Sequence, residues 1–189
     1  ETFRFSHCLR KHTKPMIIAA NKMDKPNSKN NFEKLKKEFS YPIAPTFAEF
    51  ELALREADKH GLIEYVPGEK SFEIKKELSE KQKAALDNIR KVMDEFGSSG
   101  VQNVLNSTIF DILGMISIFP AGDKLTDSKG NVLPDCFLMK NGSTALDFAF
   151  RLHSDIGKKF IKAIDIRTKK AVGKDYLLKN MDGFEIITK

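Results

Sequence analysis

The chain has 189 residues, a formal net charge of +6, 41% hydrophobic residues and 31% charged residues. That length holds one large domain or two small ones, and the composition fits a folded chain and excludes wholesale disorder. The longest apolar stretch, residues 109–119, contains Asp111 and is too short to span a bilayer, so no membrane partner is expected. The first residues lack the apolar run of a secretory signal. Cys8 and Cys136 form no CxxC motif and read as free thiols of a reducing compartment, so the expected location is cytoplasmic.

In chain order, KPMIIAA (14–20) is a short apolar run behind a proline, which suits a buried parallel strand. NKMDKPNS then reads as a loop. NFEKLKKEF (31–39) spaces Phe32, Leu35 and Phe39 as a helix face, and residues 41–44 read as a second parallel strand. FAEFELALREADKH (47–60) is a helix with Phe50, Leu54 and Ala57 on one face and Gly61 as its stop. On that helix Glu49, Glu51, Glu56 and Asp58 read as a solvated face. VPGEKSFEI is turn-like. A helix then runs from the capping box Ser79/Gln82 to Phe96, GSSG (97–100) breaks it, and another helix presents Val101, Val104, Leu105, Ile109, Ile112 and Leu113.

After Gly114 the texture changes to short strands around one helix. MISIF is strand-like. DSKGNVLPD is a turn, and VLPDCFLMK is a strand entered through it. Ser143 or Thr144 caps a helix over 145–153, with Asp147 in its first turn, burying Leu146, Ala149, Phe150 and Leu152. Residues 161–166, 171–172, 176–178 and 184–187 read as strands, giving an α+β unit.

The sharpest local pattern is Asn21-Lys22-Met23-Asp24 directly after a strand. A guanine edge offers N1–H and N2–H₂ as donors beside the O6 and N7 acceptors. An acceptor-only carboxylate, Asp24, matches the donors, and the Asn21 amide matches N7. The Lys22 stem can cover one face of the base. Adenine lacks the 2-amino group and reverses the donor and acceptor at C6. This NKxD motif resembles that of the P-loop GTPases. After the next strand, Pro45-Thr46-Phe47-Ala48-Glu49 is similar to the segment where such proteins place Ser-Ala. The resemblance implies that the Ala48 N–H reaches guanine O6, while Phe47 in place of serine weakens side-chain support for Asp24.

The resemblance extends along most of the chain. LREADKHGLIEYVPG and GVQNVLNSTIFDIL resemble the helical insertion and closing helix of Obg-type GTPases of the YchF-like group. The remainder resembles a TGS domain, a ubiquitin-like β-grasp module. The residues carrying that likeness include Gly142-Ser143-Thr144, Asp147-Phe148-Ala149, His153 and Val172-Gly173, with Met181-Asp182-Gly183 as a local turn variant. The implied fold class is therefore an α/β remnant of a P-loop GTPase domain with a helical insertion, plus an α+β β-grasp domain. The expected boundaries are 1–48, 49–97 (insertion), 98–114 (closing helix) and 115–189 (TGS).

No G-x-x-x-x-G-K-[ST] occurs in the sequence, nor a residue set for Mg²⁺ or a DxxG switch. In the family those elements precede the NKxD strand, so they are expected upstream of Glu1. No catalytic residue is expected in this chain, since phosphoryl transfer depends on positioning phosphates and Mg²⁺. The resemblance implies that the intact protein binds GTP or GDP with Mg²⁺, hydrolyses GTP and acts on the ribosome or another RNA assembly.

His7, Cys8 and His12 match no standard zinc spacing, so no metal site is expected. Charge is uneven. Residues 1–48 hold ten Lys/Arg against four Asp/Glu, residues 49–112 nine against thirteen, and residues 151–189 ten against five. Lys158, Lys159, Lys162, Arg167, Lys169, Lys170 and Lys174 form a basic cluster suited to a phosphate backbone, or alternatively a solvated lysine-rich surface. The alternative to the GTPase reading is a non-enzymatic RNA- or protein-binding module centred on that basic end. No DNA sequence reader is expected.

Overall fold

The computed structural model describes residues 2–122 and 135–189. It divides into two compact units, residues 1–108 and 109–189.

The first unit opens with helix α1 (Thr2–Thr13), on which Phe3, Phe5 and Leu9 are exposed. Strands β1 (Ile18–Ala20) and β2 (Ile43–Pro45) pair in parallel, in register from Ile18↔Ile43 to Ala20↔Pro45. They are only three residues long and half-buried, shorter and more exposed than the apolar runs imply. Helix α2 (Ser28–Glu38) joins them and starts three residues earlier than its apolar spacing suggests. Asn27 enters it in the left-handed conformation (φ 62°), which asparagine tolerates better than most residues. Phe39 is extended at the C-cap and exposed, so only Phe32 of the expected face is buried.

Helix α3 (Ala48–Lys59), a two-residue hairpin pairing β3 (Ile63–Glu64) with β4 (Glu73–Ile74), and helix α4 (Glu80–Phe96) follow, over the stretch expected to be a helical insertion. The hairpin lies where the sequence reads as turns, because two-residue strands leave no periodicity to detect. Leu54, Ile63, Tyr65, Phe72, Leu86, Ile89 and Met93 make its core. Ser79 and Gln82 close the expected capping box, and Gly97 (φ 85°) ends α4. Glu51 is 4% exposed, not on a solvated face. It sits three residues before Leu54, hence on the inward side of the helix.

Helix α5 (Val101–Asn106) passes into a π-helical turn, Ser107–Ile112. The Thr108 hydroxyl donates to the Val104 carbonyl at 2.7 Å, and such back-bonding competes with regular helix ladders. None of the six apolar residues expected to form its buried face is fully buried.

In the second unit, β5 (Met115–Pro120), β6 (Phe137–Lys140), β7 (Phe160–Asp165), β8 (Ala171–Val172) and β9 (Asp182–Thr188) form a five-stranded sheet of order β6-β5-β9-β7-β8. β5 and β9 are parallel and the other pairs antiparallel. Helix α6 (Ala145–Leu152) contributes Ala145, Phe148 and Ala149 to a core with Ile116, Ile118, Ala163 and Phe184. This is the sheet-and-helix arrangement that a β-grasp implies. Thr144 is the N-cap and Asp147 completes its capping box. The buried phenylalanine is Phe148, while Phe150 is 48% exposed. Its ring lies over Gly157, where any Cβ would fall 2.4 Å from it. A short helix α7 (Ser154–Lys158) follows, capped by His153 Nδ1, which accepts from the Asp155 N–H at 3.2 Å. Residues 176–178 form no strand, only a bridge between Thr144 and Leu177. The turn read in DSKGNVLPD lies outside the described residues save Asp135.

Candidate functional site

The candidate site grows from the C-terminal ends of β1 and β2. Parallel strands end side by side, so the loops after them meet. The Thr46 N–H donates to the Ala20 carbonyl at 2.9 Å, and the Met23 N–H to the Thr46 carbonyl at 3.4 Å. Within NKMD only Met23 points inward. It is 5% exposed and packs with Phe32 and Phe47. Lys22 holds a left-handed φ of 63°, an uncommon conformation for a lysine. The Lys25 N–H donates back to the Lys22 carbonyl at 3.1 Å, and the Ser28 hydroxyl to the Met23 carbonyl at 2.7 Å. The loop is thus held at both ends while Asn21, Lys22 and Asp24 remain exposed.

Asn21 and Ala48 are joined directly. The Ala48 N–H donates to Asn21 Oδ1 at 3.1 Å. With its oxygen engaged, the Asn21 side chain keeps its NH₂ as the free end. The N–H that the family resemblance assigns to guanine O6 is therefore spent on Asn21 here. Asp24 pairs with Lys25, Oδ2 to Nζ 2.8 Å, and that hydrogen bond holds the Asp24 carboxyl below its ordinary value. Phe47, standing where the family has serine, is 2% exposed and packs edge-on against Phe96 at 4.9 Å and stacked on Phe50 at 5.8 Å.

Two depressions flank the loop. One, of about 430 Å³, is lined by Asn21, Lys22, Met23 and Phe32 among others. The other, of about 610 Å³, is lined by Asp24, Lys25, Phe47, Asn88, Glu95 and Phe96 among others. Neither is lined by all of Asn21, Lys22, Asp24 and Ala48. The Lys29 ammonium, paired with Glu95, bridges the second depression from α2 to α4.

Behind the loops stands a group that sequence reasoning missed. The Phe47 N–H donates to the Ser99 carbonyl at 2.9 Å. The Ser99 hydroxyl donates to Glu51, which also accepts from Tyr65 Oη at 2.8 Å and Arg55 Nε at 2.7 Å. Burial pushes the Glu51 carboxyl up, but the hydrogen bonds from Ser99, Arg55 and Tyr65 outweigh it and hold the group below its ordinary value. Burial, with Glu51 beside it, pushes the Tyr65 phenol up. The signals were present in sequence. Glu51 falls on the Leu54 side of α3, and two serines between glycines mark a tight crossing. Thr46 Oγ1, also here, is buried without a hydrogen-bond partner.

The basic cluster is dispersed. Lys158, Lys159, Lys162, Arg167, Lys169, Lys170 and Lys174 are all exposed. Lys158 and Lys159 precede β7, whereas Arg167, Lys169 and Lys170 follow it, so a strand of about 17–20 Å separates the two groups. Arg167 Nη2 donates to the Met181 carbonyl at 2.9 Å, bracing the turn into β9. Cys8 is exposed, and the His7 and His12 side chains lie outside the described ones. Among the described residues no cluster suits a metal ion, and no helix is long and apolar enough to cross a membrane.

Comparison with known proteins places this geometry. Residues 19–123 match the Obg-like GTPase YGR210-like, G4 motif-containing domain, and residues 116–188 match the TGS domain. A GTP-binding protein of Methanocaldococcus jannaschii is 48% identical over 95% of this chain and 47% of its own length. One from Schizosaccharomyces pombe is 31% identical over 69% of this chain and 35% of its own length. The chain thus spans half or less of these relatives. The crystal structure of a GTP binding protein from Pyrococcus horikoshii OT3 superposes with a TM-score of 0.71 at 41% identity, covering 98% of this chain and 49% of that one. The Schizosaccharomyces pombe YchF GTPase shares the fold, with a TM-score of 0.55 at 16% identity over 92% of this chain and 43% of that one. The chain belongs to the Obg-like GTPase family of the YGR210-like type, carrying its G4-motif domain followed by a ubiquitin-like TGS domain.

Proposed function

We propose that this chain supplies the guanine-reading part of a GTP-binding protein, and that the protein as a whole binds and hydrolyses GTP with Mg²⁺. The observation that carries the reading is the hydrogen bond from the Ala48 N–H to Asn21 Oδ1, which closes the NKMD loop onto the 45–48 turn. It leaves the Asn21 NH₂ as the donor for guanine N7. Asp24, a carboxylate whose ionised form Lys25 favours further, accepts from N1–H and N2–H₂. Lys22 covers the base with its methylene stem. Guanine O6 competes with Asn21 Oδ1 for the Ala48 N–H, so base binding is coupled to how firmly these two loops are joined. The phosphates and Mg²⁺ need a Gly-rich loop and switch segments that this sequence does not contain.

The test is a nuclear magnetic resonance titration of the 189-residue chain with guanosine and adenosine. Guanosine is expected to shift the Asn21, Asp24 and Ala48 amides at millimolar concentration and adenosine to leave them in place. Asp24→Ala removes the acceptor for two donors and should erase the difference. Equal response to both nucleosides in the wild-type chain, or an unchanged preference in Asp24→Ala, overturns the reading. So does tight, Mg²⁺-dependent GTP binding by this chain alone, since that would place phosphate recognition within it.

A further inference from the structure

Glu51 has no part in the base contacts above, yet it is the most heavily bonded carboxylate of the first unit. It is 4% exposed and accepts from the Ser99 hydroxyl, Tyr65 Oη and Arg55 Nε. Those donors come from three places: the loop between α4 and α5, the segment after β3, and the next turn of α3. An apolar side chain of similar size would fill the same space without the cost of desolvating a charge. What the carboxylate adds is a demand for three donors at once, which fixes those elements relative to α3.

The loop that Glu51 holds is the one that holds the base-reading turn. The Ser99 carbonyl accepts the Phe47 N–H at 2.9 Å. Ser98 Oγ accepts from the Gly100 N–H at 3.1 Å and from Asn103 Nδ2 at 3.2 Å, so the loop is rigid on its far side. Gly100 presses against Pro45 so closely that any Cβ would fall 2.1 Å from the Pro45 carbonyl oxygen. Phe47 directly precedes Ala48, whose N–H reaches Asn21. From Tyr65 the path is therefore continuous through Glu51, Ser99 and Phe47 to Ala48 and Asn21.

We infer that Glu51 is a positioning residue for base recognition, fixing the 45–48 turn through Ser99 and tying it through Tyr65 to the hairpin of the helical insertion. The inference rests on the proposed roles of Asn21, Asp24 and Ala48. It makes guanine affinity sensitive to the hairpin, which touches no candidate base contact itself.

The test uses amide hydrogen exchange in the 189-residue chain, which needs no nucleoside, beside the guanosine titration. Glu51→Ala is expected to raise exchange at Phe47 and Ala48 by about tenfold relative to amides of α4. Tyr65→Phe should act in the same direction more weakly, and Glu51→Gln, which keeps one acceptor oxygen, should restore part of the protection. The same variants should weaken the guanosine response in the same order. If Glu51→Ala does not fold, Tyr65→Phe and Ser99→Ala carry the comparison. Unchanged exchange at Phe47 and Ala48 overturns the inference, as does a uniform rise across residues 48–96, which would mark Glu51 as a general stabiliser. A selective rise at Phe47 and Ala48 without any guanosine preference in the wild-type chain overturns the base-reading role alone.

Discussion

In residues 109–189 a five-stranded sheet buries Ile118, Ala163 and Phe184 against Phe148 of α6, and among the described residues Ser117 is the one buried polar side chain. In residues 1–108 the loops of the candidate site stand on a two-stranded parallel sheet of three-residue strands, and the strands are only half-buried. Met23, Phe32 and Phe47 anchor these loops in a small apolar cluster, and the Asn21–Ala48, Phe47–Ser99 and Ser99–Glu51 hydrogen bonds set their orientation. Apolar packing is non-directional and tolerates repacking. Polar bonds between loops are directional and fail singly. One region is therefore stable through area buried, and the other is placed through a few named atoms.

The largest expected effect breaks the apolar side. Phe148 is fully buried, and Phe148→Ala removes a side chain that touches Phe137 edge-on at 5.9 Å. The expected loss is roughly 3–5 kcal/mol, read as a lowered urea midpoint for signals from residues 109–189. If exchange protection of Phe47 and Ala48 falls equally, the two units do not hold their order separately.

A smaller effect breaks the polar side. Gly100 and Gly97 both have left-handed backbones, φ 78° and 85°. An alanine at either position costs about 1–2 kcal/mol for the backbone alone. At Gly97 the new Cβ meets nothing within 4 Å, whereas at Gly100 it meets the Pro45 oxygen. Gly100→Ala should therefore lose the guanosine response as well as stability, and Gly97→Ala only stability. Equal loss of guanosine response in both would show that the Gly100–Pro45 approach does not set the turn.

The contrast also explains what the sequence made legible. The capping boxes at Ser79 and Thr144 and the α4 face follow from local chemistry or from apolar spacing and are found where the residues predict them, as are β5, β7, β8 and β9 to within two residues, whereas the strand expected at 176–178 is only a bridge. Phe150, expected to be buried, is exposed and Phe148 is buried instead, because an eight-residue helix gives the 3.6-residue period too few turns to settle its phase. The β3–β4 hairpin was lost for the same reason, at two residues per strand. In the candidate site, NKMD and Ala48 were readable as a motif. Glu51 and Ser99 were readable only in part: the Leu54 side of α3 and the glycine-flanked serines mark their places, but the bond that joins them and the Tyr65 donor span 48 and 14 residues of chain, which no local pattern records.

The finest comparison sets the two capping boxes against each other, since each serves one unit with the same local motif. In the first, Gln82 Oε1 accepts from the Ser79 N–H at 2.9 Å, and the returning bond from the Gln82 N–H to Ser79 Oγ is 3.4 Å. In the second, Asp147 Oδ2 accepts from the Thr144 N–H at 2.8 Å, and the Asp147 N–H returns to Thr144 Oγ1 at 3.2 Å. Both Ser79→Ala and Thr144→Ala should cost about 1 kcal/mol. The Thr144 change should cost more, because it also removes the charge-assisted bond that the Thr144 hydroxyl donates to Asp147 Oδ2 at 2.9 Å. Salt separates the two contributions. Raising ionic strength screens the charge of Asp147, which weakens the bond from the Thr144 hydroxyl, so the gap between the variants should narrow in high salt, read from urea midpoints of each unit. A gap that does not move with salt would assign the difference to hydrogen-bond geometry alone.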